Sequence, residues 1–248
     1  MDSLFLDFIE ALKTLPVEAL PAISFLVCVV FILLSFKYFG AFGLVCYSVL
    51  AITIANMQVL KLGVFPFINE PIALGTVVFT TLFTTSDLIT EHYGAALAKK
   101  TIYLIFLMQV FVTISMALVI SHPEIGSEKS LAQTALETLF TPSLRLLFAS
   151  LVAFVVSQHI DIYIFSALKK RHGGSYLWIR GNASTLISGV FDTVVFSFLA
   201  WIVLAPSPLP ISTVVIGFIG FSQMLRALIS ILSTPLLYIS YRLKPYDI

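Results

Sequence analysis

The chain has 248 residues, 59% of them hydrophobic and 11% charged, with a mean hydropathy of +1.03. Soluble domains run at about 45–50% apolar and about 25% charged, so this composition leaves too little polar surface for a soluble globular protein. A formal net charge of +1 gives no basic footprint for nucleic acid as a partner.

What remains is an all-α, polytopic integral membrane helical bundle, since helices satisfy their own backbone groups within lipid. The N-terminal stretch "MDSLFLDFIEALKTLPVEALP" lacks a basic n-region and a small-residue cleavage site, so it does not read as a signal peptide. Residues 1–19 are expected to form an extracytoplasmic or interfacial segment with a short amphipathic helix. Apolar segments follow at 20–36, 41–60, 72–90, 101–120, 144–168, 183–204 and 211–241. Each is long enough, or nearly so, to cross a hydrocarbon core about 30 Å thick. Pro235 is expected to bend or end the last of them. Cys28 and Cys46 lie in apolar runs and read as buried free thiols. No Cys or His spacing suggests a metal, and no cofactor is expected. Between the fourth and fifth segments, residues 121–143 carry Leu131, Ala135, Leu136 and Leu139 at helical spacing, which predicts an amphipathic helix on the outer surface. Without a linker or a repeat, the chain reads as one integral domain.

Loop charges choose the orientation, because short cytoplasmic loops carry an excess of Lys and Arg. The loops after the first, third, fifth and seventh segments hold Lys37; Lys99 and Lys100; Lys169, Lys170, Arg171 and Arg180; and Arg242 and Lys244. The opposite loops and the N-terminus hold only Lys13, Lys61 and Lys129, diluted by Asp2, Asp7, Glu10, Glu18, Glu70, Glu124, Glu128 and Glu137. This bias predicts an N-terminus outside and a C-terminus in the cytoplasm. Tyr103, Tyr163, Tyr176, Trp178, Tyr238 and Tyr241 gather at the predicted cytoplasmic boundary as an interfacial belt.

A charge deep in the bilayer costs about 2.5–3.5 kcal/mol even on the insertion scale, so such residues mark function or pairing. Asp87 and Glu91, in "TTSDLITEHYGAALAKK" (84–100), share one helical face at the cytoplasmic end of the third segment. Asp161 lies in "VSQHIDIYIF", with Gln158 sharing its face and His159 adjacent. Asp192 lies in "TLISGVFDTVVF", ~13 Å deep by helical rise. Arg226 lies well inside the last segment, and Gln223 precedes it by three residues. Structural readings stand beside these: a solvated Glu91, Asp87 as a helix cap, His159 as a packing residue, and an Arg226–aspartate ion pair. One arginine neutralises only one or two of these carboxylates, so the surplus acid implies a water-accessible cavity and a transport pathway. Asn56 and Gln58 end the second segment near the outer face, while Ser157, Ser184, Thr185, Ser188 and Thr193 suit bonds to helix carbonyls.

The same stretches resemble the queuosine-precursor transporter family, also called the vitamin uptake transporter family. "SDLITEHYGAALAKK" is similar to its Asp-x-x-x-Glu-x-Tyr-Gly signature. "ASLVAFVVSQHIDIYIF" (149–165) resembles its Ser-Gln-x-x-Asp helix, and "LWIRGNASTLISGVFDTVVF" (177–196) its Arg, Ser-Thr and Asp-Thr motif. "LRALISILSTPLLY" (225–238) resembles its final helix, with Arg226 where the family usually has Lys, and "IAN" (54–56) resembles the asparagine stretch of its first helix. The resemblance implies a six-helix transporter domain over 41–244, similar to the substrate-binding subunits of energy-coupling-factor vitamin transporters. The span at 20–36 reads as an addition to it. It further implies import of a 7-deazaguanine, either the cyano or aminomethyl queuosine precursor or the free base queuine, across the bacterial inner membrane for tRNA modification. On this reading Asp87, Asp161 and Asp192 line one polar cavity with Asn56, Gln158 and Arg226, and Glu91 stands at its cytoplasmic mouth.

Rival readings are an intramembrane hydrolase using His159 with Ser157 or Ser188, a proton- or cation-conducting channel or exchanger, a carrier for another vitamin-like solute, and a purely structural subunit. No Gly-x-Ser-x-Gly elbow supports the first. With no Gly-x-x-x-x-Gly-Lys-Ser/Thr loop in the chain, coupling to a separate ATPase module, to protons, or facilitated diffusion all stay open, as does a homodimer.

Overall fold

The computed structural model describes residues 2–65, 68–123, 130–140, 143–205 and 221–243. The predicted residues 211–220 of the last segment lie outside them, as do Glu124, Glu128, Lys129 and Lys244 among the loop charges. Helices dominate: α1 (Asp2–Lys13), α2 (Ala19–Gln58), α3 (Thr76–Tyr93), α4 (Ala95–Ile120), α5 (Leu131–Phe140), α6 (Ser143–Arg171), α7 (Leu177–Phe198) and α8 (Phe221–Ser240). A π-helical turn, Leu199–Val203, extends α7.

The 40 residues of α2 are two spans, not one, because Gly40 takes φ 55° and ψ −132° inside it. Only glycine reaches such angles without strain. The reversal is tight: Cys28 meets Tyr47 and Thr81, whereas a straight helix would hold Cys28 and Tyr47 about 28 Å apart. A Cβ at Gly43 would collide with the Ser35 carbonyl oxygen across the turn. The first arm is an integral part of the packing, for Cys28, Ile32 and Phe36 join the buried core. Cys46, by contrast, is exposed on the outside of the second arm, which corrects the expectation of two buried thiols.

A polar central helix organises the bundle. From Thr80 to Thr90 every residue of α3 is buried, including Thr80, Thr81, Thr84, Thr85, Ser86 and Asp87. Such a helix cannot face lipid, so α2, α4, α6, α7 and α8 surround it. Those neighbours are long and apolar enough to cross a membrane. Their outward residues, such as Phe31, Phe111, Leu118, Phe198 and Ile231, form an apolar skin. The protein is a multi-pass membrane protein.

Several boundaries differ from expectation. Residues Leu62–Phe65 and Ile68–Ala73 form a two-stranded antiparallel hairpin, β1 and β2, before α3. The third segment, predicted from residue 72, therefore starts as a strand; its apolar residues belong to a hairpin, and helix begins at Thr76. Pro235 does not end α8, which runs on to Ser240. The amphipathic helix expected within 121–143 is α5, which Gln133 ties to the end of α4 through the Ile120 carbonyl at 3.0 Å.

The bundle has two distinct ends. At one, Phe36 stacks 4.9 Å from His92, and Lys37, Lys99, Lys100, Lys170, Arg171 and Arg242 are exposed. The other carries the β-hairpin, α5 and the end of α4. Exchanging Gly43 for Val should cost about 1–3 kcal/mol by overpacking the α2 turn. The midpoint of thermal unfolding in detergent should fall clearly, while Phe42→Ala, at a site 68% exposed, should leave it unchanged.

Candidate functional site

One face of α7 reads Gly181, Ser184, Thr185, Ser188, Gly189, Asp192 and Thr193, all buried. These positions recur at three- and four-residue intervals, the spacing of a helix face, and their small side chains let α3, α6 and α8 approach closely. At Gly181 a Cβ would stand 2.8 Å from Leu237 and 3.2 Å from Asp87 Oδ2. Along the facing α6, Ser150, Ser157, Asp161 and Lys169 meet polar partners at successive depths. From Ser150 to Lys169 is about 28 Å of helix, close to the full hydrocarbon thickness.

At the hairpin end, Ser150 donates to Asn56 Oδ1 at 3.4 Å, and Asn56 Nδ2 donates to Gln109 Oε1 at 3.3 Å. Gln109 Nε2 in turn donates to Thr53 at 2.6 Å. A cavity of about 220 Å³ opens here between α2, α4, α5 and α6. One level deeper, Arg226 Nη2 lies 2.6 Å from Asp192 Oδ2, and Ser157 donates to Asp192 Oδ1 at 3.2 Å. The Arg226 guanidinium also sits 5.1 Å from the Phe79 ring and 5.9 Å from Phe83, within reach of a cation–π attraction. Its neighbour Gln223 holds the Gly189 carbonyl at 2.6 Å and Thr193 at 2.7 Å, locking α8 to α7.

Deeper again, Ser188 donates to Asp161 at 3.1 Å and Ser184 donates to Asp87 at 3.4 Å. The Asp87 and Asp161 side chains are neighbours on facing helices. At the basic end, Glu91 is clamped by Arg180 Nη2 at 3.1 Å and Lys169 Nζ at 3.1 Å. The Tyr241 hydroxyl also donates to Glu91. Burial, and then the facing Glu91, push the Tyr241 phenol up to about 12, so it remains a donor at physiological pH. Glu91 thereby joins α3 to α6, α7 and the residue that follows α8.

The predicted site residues are thus spread over several levels instead of lining one cavity. Asp87, Asp161, Asp192 and Arg226 come together in the middle of the bundle. Asn56 stands apart at the hairpin end. Gln158 turns away from Asp161 toward Ser48, Ser86 and Thr101, beside a cavity of only about 10 Å³. Glu91 is buried, not solvated, with 5% of its side chain exposed. The reason is Arg180, counted as a loop charge, which lies in the first turn of α7 and is completely buried. Arg180, Gln109 and Tyr241 were not recognised as site residues; only Arg180 had a signal, its place beside the small-residue run of α7. His159 packs helices: Nδ1 lies 2.7 Å from the Val155 carbonyl and Nε2 3.2 Å from Tyr103, with no contact to Ser157 or Ser188. That geometry removes the hydrolase reading. Among the described residues no group of His, Cys, Asp and Glu is arranged to hold a metal ion.

An apolar skin around a polar axis of membrane depth suits a multi-pass transporter, and the comparisons give that class. Residues 73–240 match the model of the family described as "Putative vitamin uptake transporter", and the chain belongs to that family. It is 32% identical over 219 residues to the "Probable queuosine precursor transporter" of Bacillus subtilis strain 168, covering 88% of this chain and 92% of that one. It is 27% identical over 166 residues to the "Queuosine precursor transporter" of Escherichia coli K12, covering 66% and 70% respectively. A "Probable queuosine precursor transporter" from Haemophilus influenzae is 26% identical over 127 residues, 51% of each chain. No solved structure matches the chain.

Removing one partner of a buried ion pair strands the other and costs about 3–5 kcal/mol. Arg226→Ala should therefore lower the unfolding midpoint and the yield of folded protein. Pairing Asp192→Asn with Arg226→Gln should restore both, because neither side chain is then charged.

Proposed function

We propose that this protein imports a 7-deazaguanine queuosine precursor, or queuine, through the axis between α3, α6, α7 and α8. The observation that carries this reading is the ladder of polar side chains along α6, from Ser150 to Lys169, enclosed by an apolar exterior. A purine-like solute presents N–H donors and a carbonyl acceptor, which carboxylates, carboxamides and a guanidinium are built to pair. The names of the relatives supply the solute class. We take Asp87, Asp161, Asp192 and Arg226 as the central station of the path, with Asn56 at its outer end, Gln158 beside it and Glu91 at its cytoplasmic end. The six-helix unit over 41–244 carries the path, and the first arm of α2 braces it.

In this reading the basic end faces the cytoplasm, which puts the N-terminus outside, and the cargo crosses the bacterial inner membrane. Three side chains tied to Glu91 close the cytoplasmic end while the cavity near Asn56 lies on the outer side. The chain works alone or as a homodimer, and proton coupling, a separate ATPase module and facilitated diffusion are the means of driving it.

Uptake is measured as queuosine in bulk tRNA of cells that lack precursor synthesis and carry this protein. Asp161→Asn and the paired variant Asp192→Asn with Arg226→Gln should each cut the signal at least tenfold while folded protein persists in the membrane. Uptake at the wild-type level by both variants would refute the central station. A fluorescent protein fused after Ile248 should light up, as cytoplasmic fusions do.

A further inference from the structure

The carboxylates attract notice first, but the space in this protein lies elsewhere. The 220 Å³ cavity at the hairpin end is lined by Thr53, Asn56, Gln109 and Thr113 together with apolar side chains including Val112, Phe140 and Leu147. A void of about 150 Å³ holds a single six-membered aromatic ring, so this one has room for a fused bicycle. We infer that this cavity is where the imported 7-deazaguanine first binds, with Asn56 and Gln109 reading its lactam and amine edge. The inference rests on the transport reading above, and it places recognition apart from the acids.

Two features make the amides suited to that task. Asn56 makes its contacts at 3.3 and 3.4 Å, the long and weak end of hydrogen-bond geometry, so exchanging them for a ligand costs little. Gln109 is 2% exposed, with a short bond from Nε2 to Thr53 and only the long 3.3 Å bond from Asn56 at Oε1. Each carboxamide carries two N–H donors and one carbonyl acceptor, and among the described residues each has one N–H left over. The lactam carbonyl oxygen accepts from one such amide N–H and the ring N–H donates to the carboxamide oxygen of the other, while Val112 and Phe140 cover the ring faces. Polar groups that fix orientation within an apolar enclosure are the usual build of a small-molecule site. The acids one level deeper then act on a solute already desolvated and oriented.

Binding of 7-cyano-7-deazaguanine, 7-aminomethyl-7-deazaguanine and queuine to the full chain in lipid nanodiscs, by calorimetry and thermal shift, tests this. Asn56→Leu and Gln109→Leu should each weaken binding of the best ligand at least tenfold. Val112→Phe fills the cavity without removing a hydrogen bond and should do the same, which keeps the test valid if an amide variant fails to fold. Phe42→Ala, on the lipid-facing side of the α2 turn, serves as the unchanged control. If the wild type binds and the folded variants bind as tightly, the cavity is not the site although the transport reading stands. If none of the three compounds binds the wild type, both the site and that reading fall.

Discussion

Hydrocarbon offers no partner to a charged or hydrogen-bonding group, so each acid carried into the bilayer must be answered by another side chain. That requirement accounts for most of what this bundle does. Because α3 carries threonines, a serine, Asp87 and Glu91 through the membrane, it must stand in the centre with a ring of helices around it. Because Asp192 is buried on α7, α8 must bring Arg226 to it. Because Glu91 is buried on α3, α7 must begin early enough to place Arg180 beside it. The small face of α7 follows from the same demand, since only glycine and serine there allow carboxylates on neighbouring helices to meet their partners.

The class of fold could be read from composition alone, and the helices that face lipid were legible as apolar runs. Legibility failed where tertiary partners decide the outcome. Arg180 looked like an anchor at the membrane surface because it follows Lys169, Lys170 and Arg171 in sequence. Its burial depends on Glu91, which is 89 residues away, and no local pattern reveals that pairing. The surplus of acid over base, read as a sign of a wetted cavity, shrinks once Arg180 is counted inside, and Asp87 and Asp161 are left without a cation. The end of the second strand, Ile72 and Ala73, merged into the apolar run read from residue 72, since a short strand and a helix end look alike to hydropathy. Gln158 illustrates the limit of helical-wheel reasoning. Three residues from Asp161 is near enough to share a broad face, yet far enough for the two side chains to look into different clefts.

The two ends of the axis are held by bonds of different kinds. Glu91 binds charged and phenolic donors from three separate elements, so α3 cannot leave α6 or α7 without breaking several charge-assisted contacts together. Near Asn56 the helices are joined by neutral amide and hydroxyl bonds, two of them long and one short, and neutral bonds cost less to break than charge-assisted ones. A bundle built this way opens more readily at the hairpin end, and opening the basic end requires something that competes for Glu91 and its cations together.

The unfinished hydrogen bonding along the axis bears on what that competitor is. Within the described protein, Arg226 Nε and Nη1, Asp161 Oδ2, and Arg180 Nε and Nη1 have no hydrogen-bond partner. Native interiors rarely leave such atoms unpaired, and each one calls for an explanation. Here they fall at successive depths, donors first, then an acceptor, then donors again, along the face where α6, α7 and α8 converge on α3. A flat solute with a carbonyl and ring N–H groups satisfies each in turn as it moves, and it exchanges one set of bonds for the next without a fully desolvated gap. A simple monovalent cation would match the acceptors but leave the unpaired guanidinium N–H donors unanswered. The order of donors and acceptors along the path therefore favours an uncharged, multiply hydrogen-bonding heterocycle over an ion as the transported species.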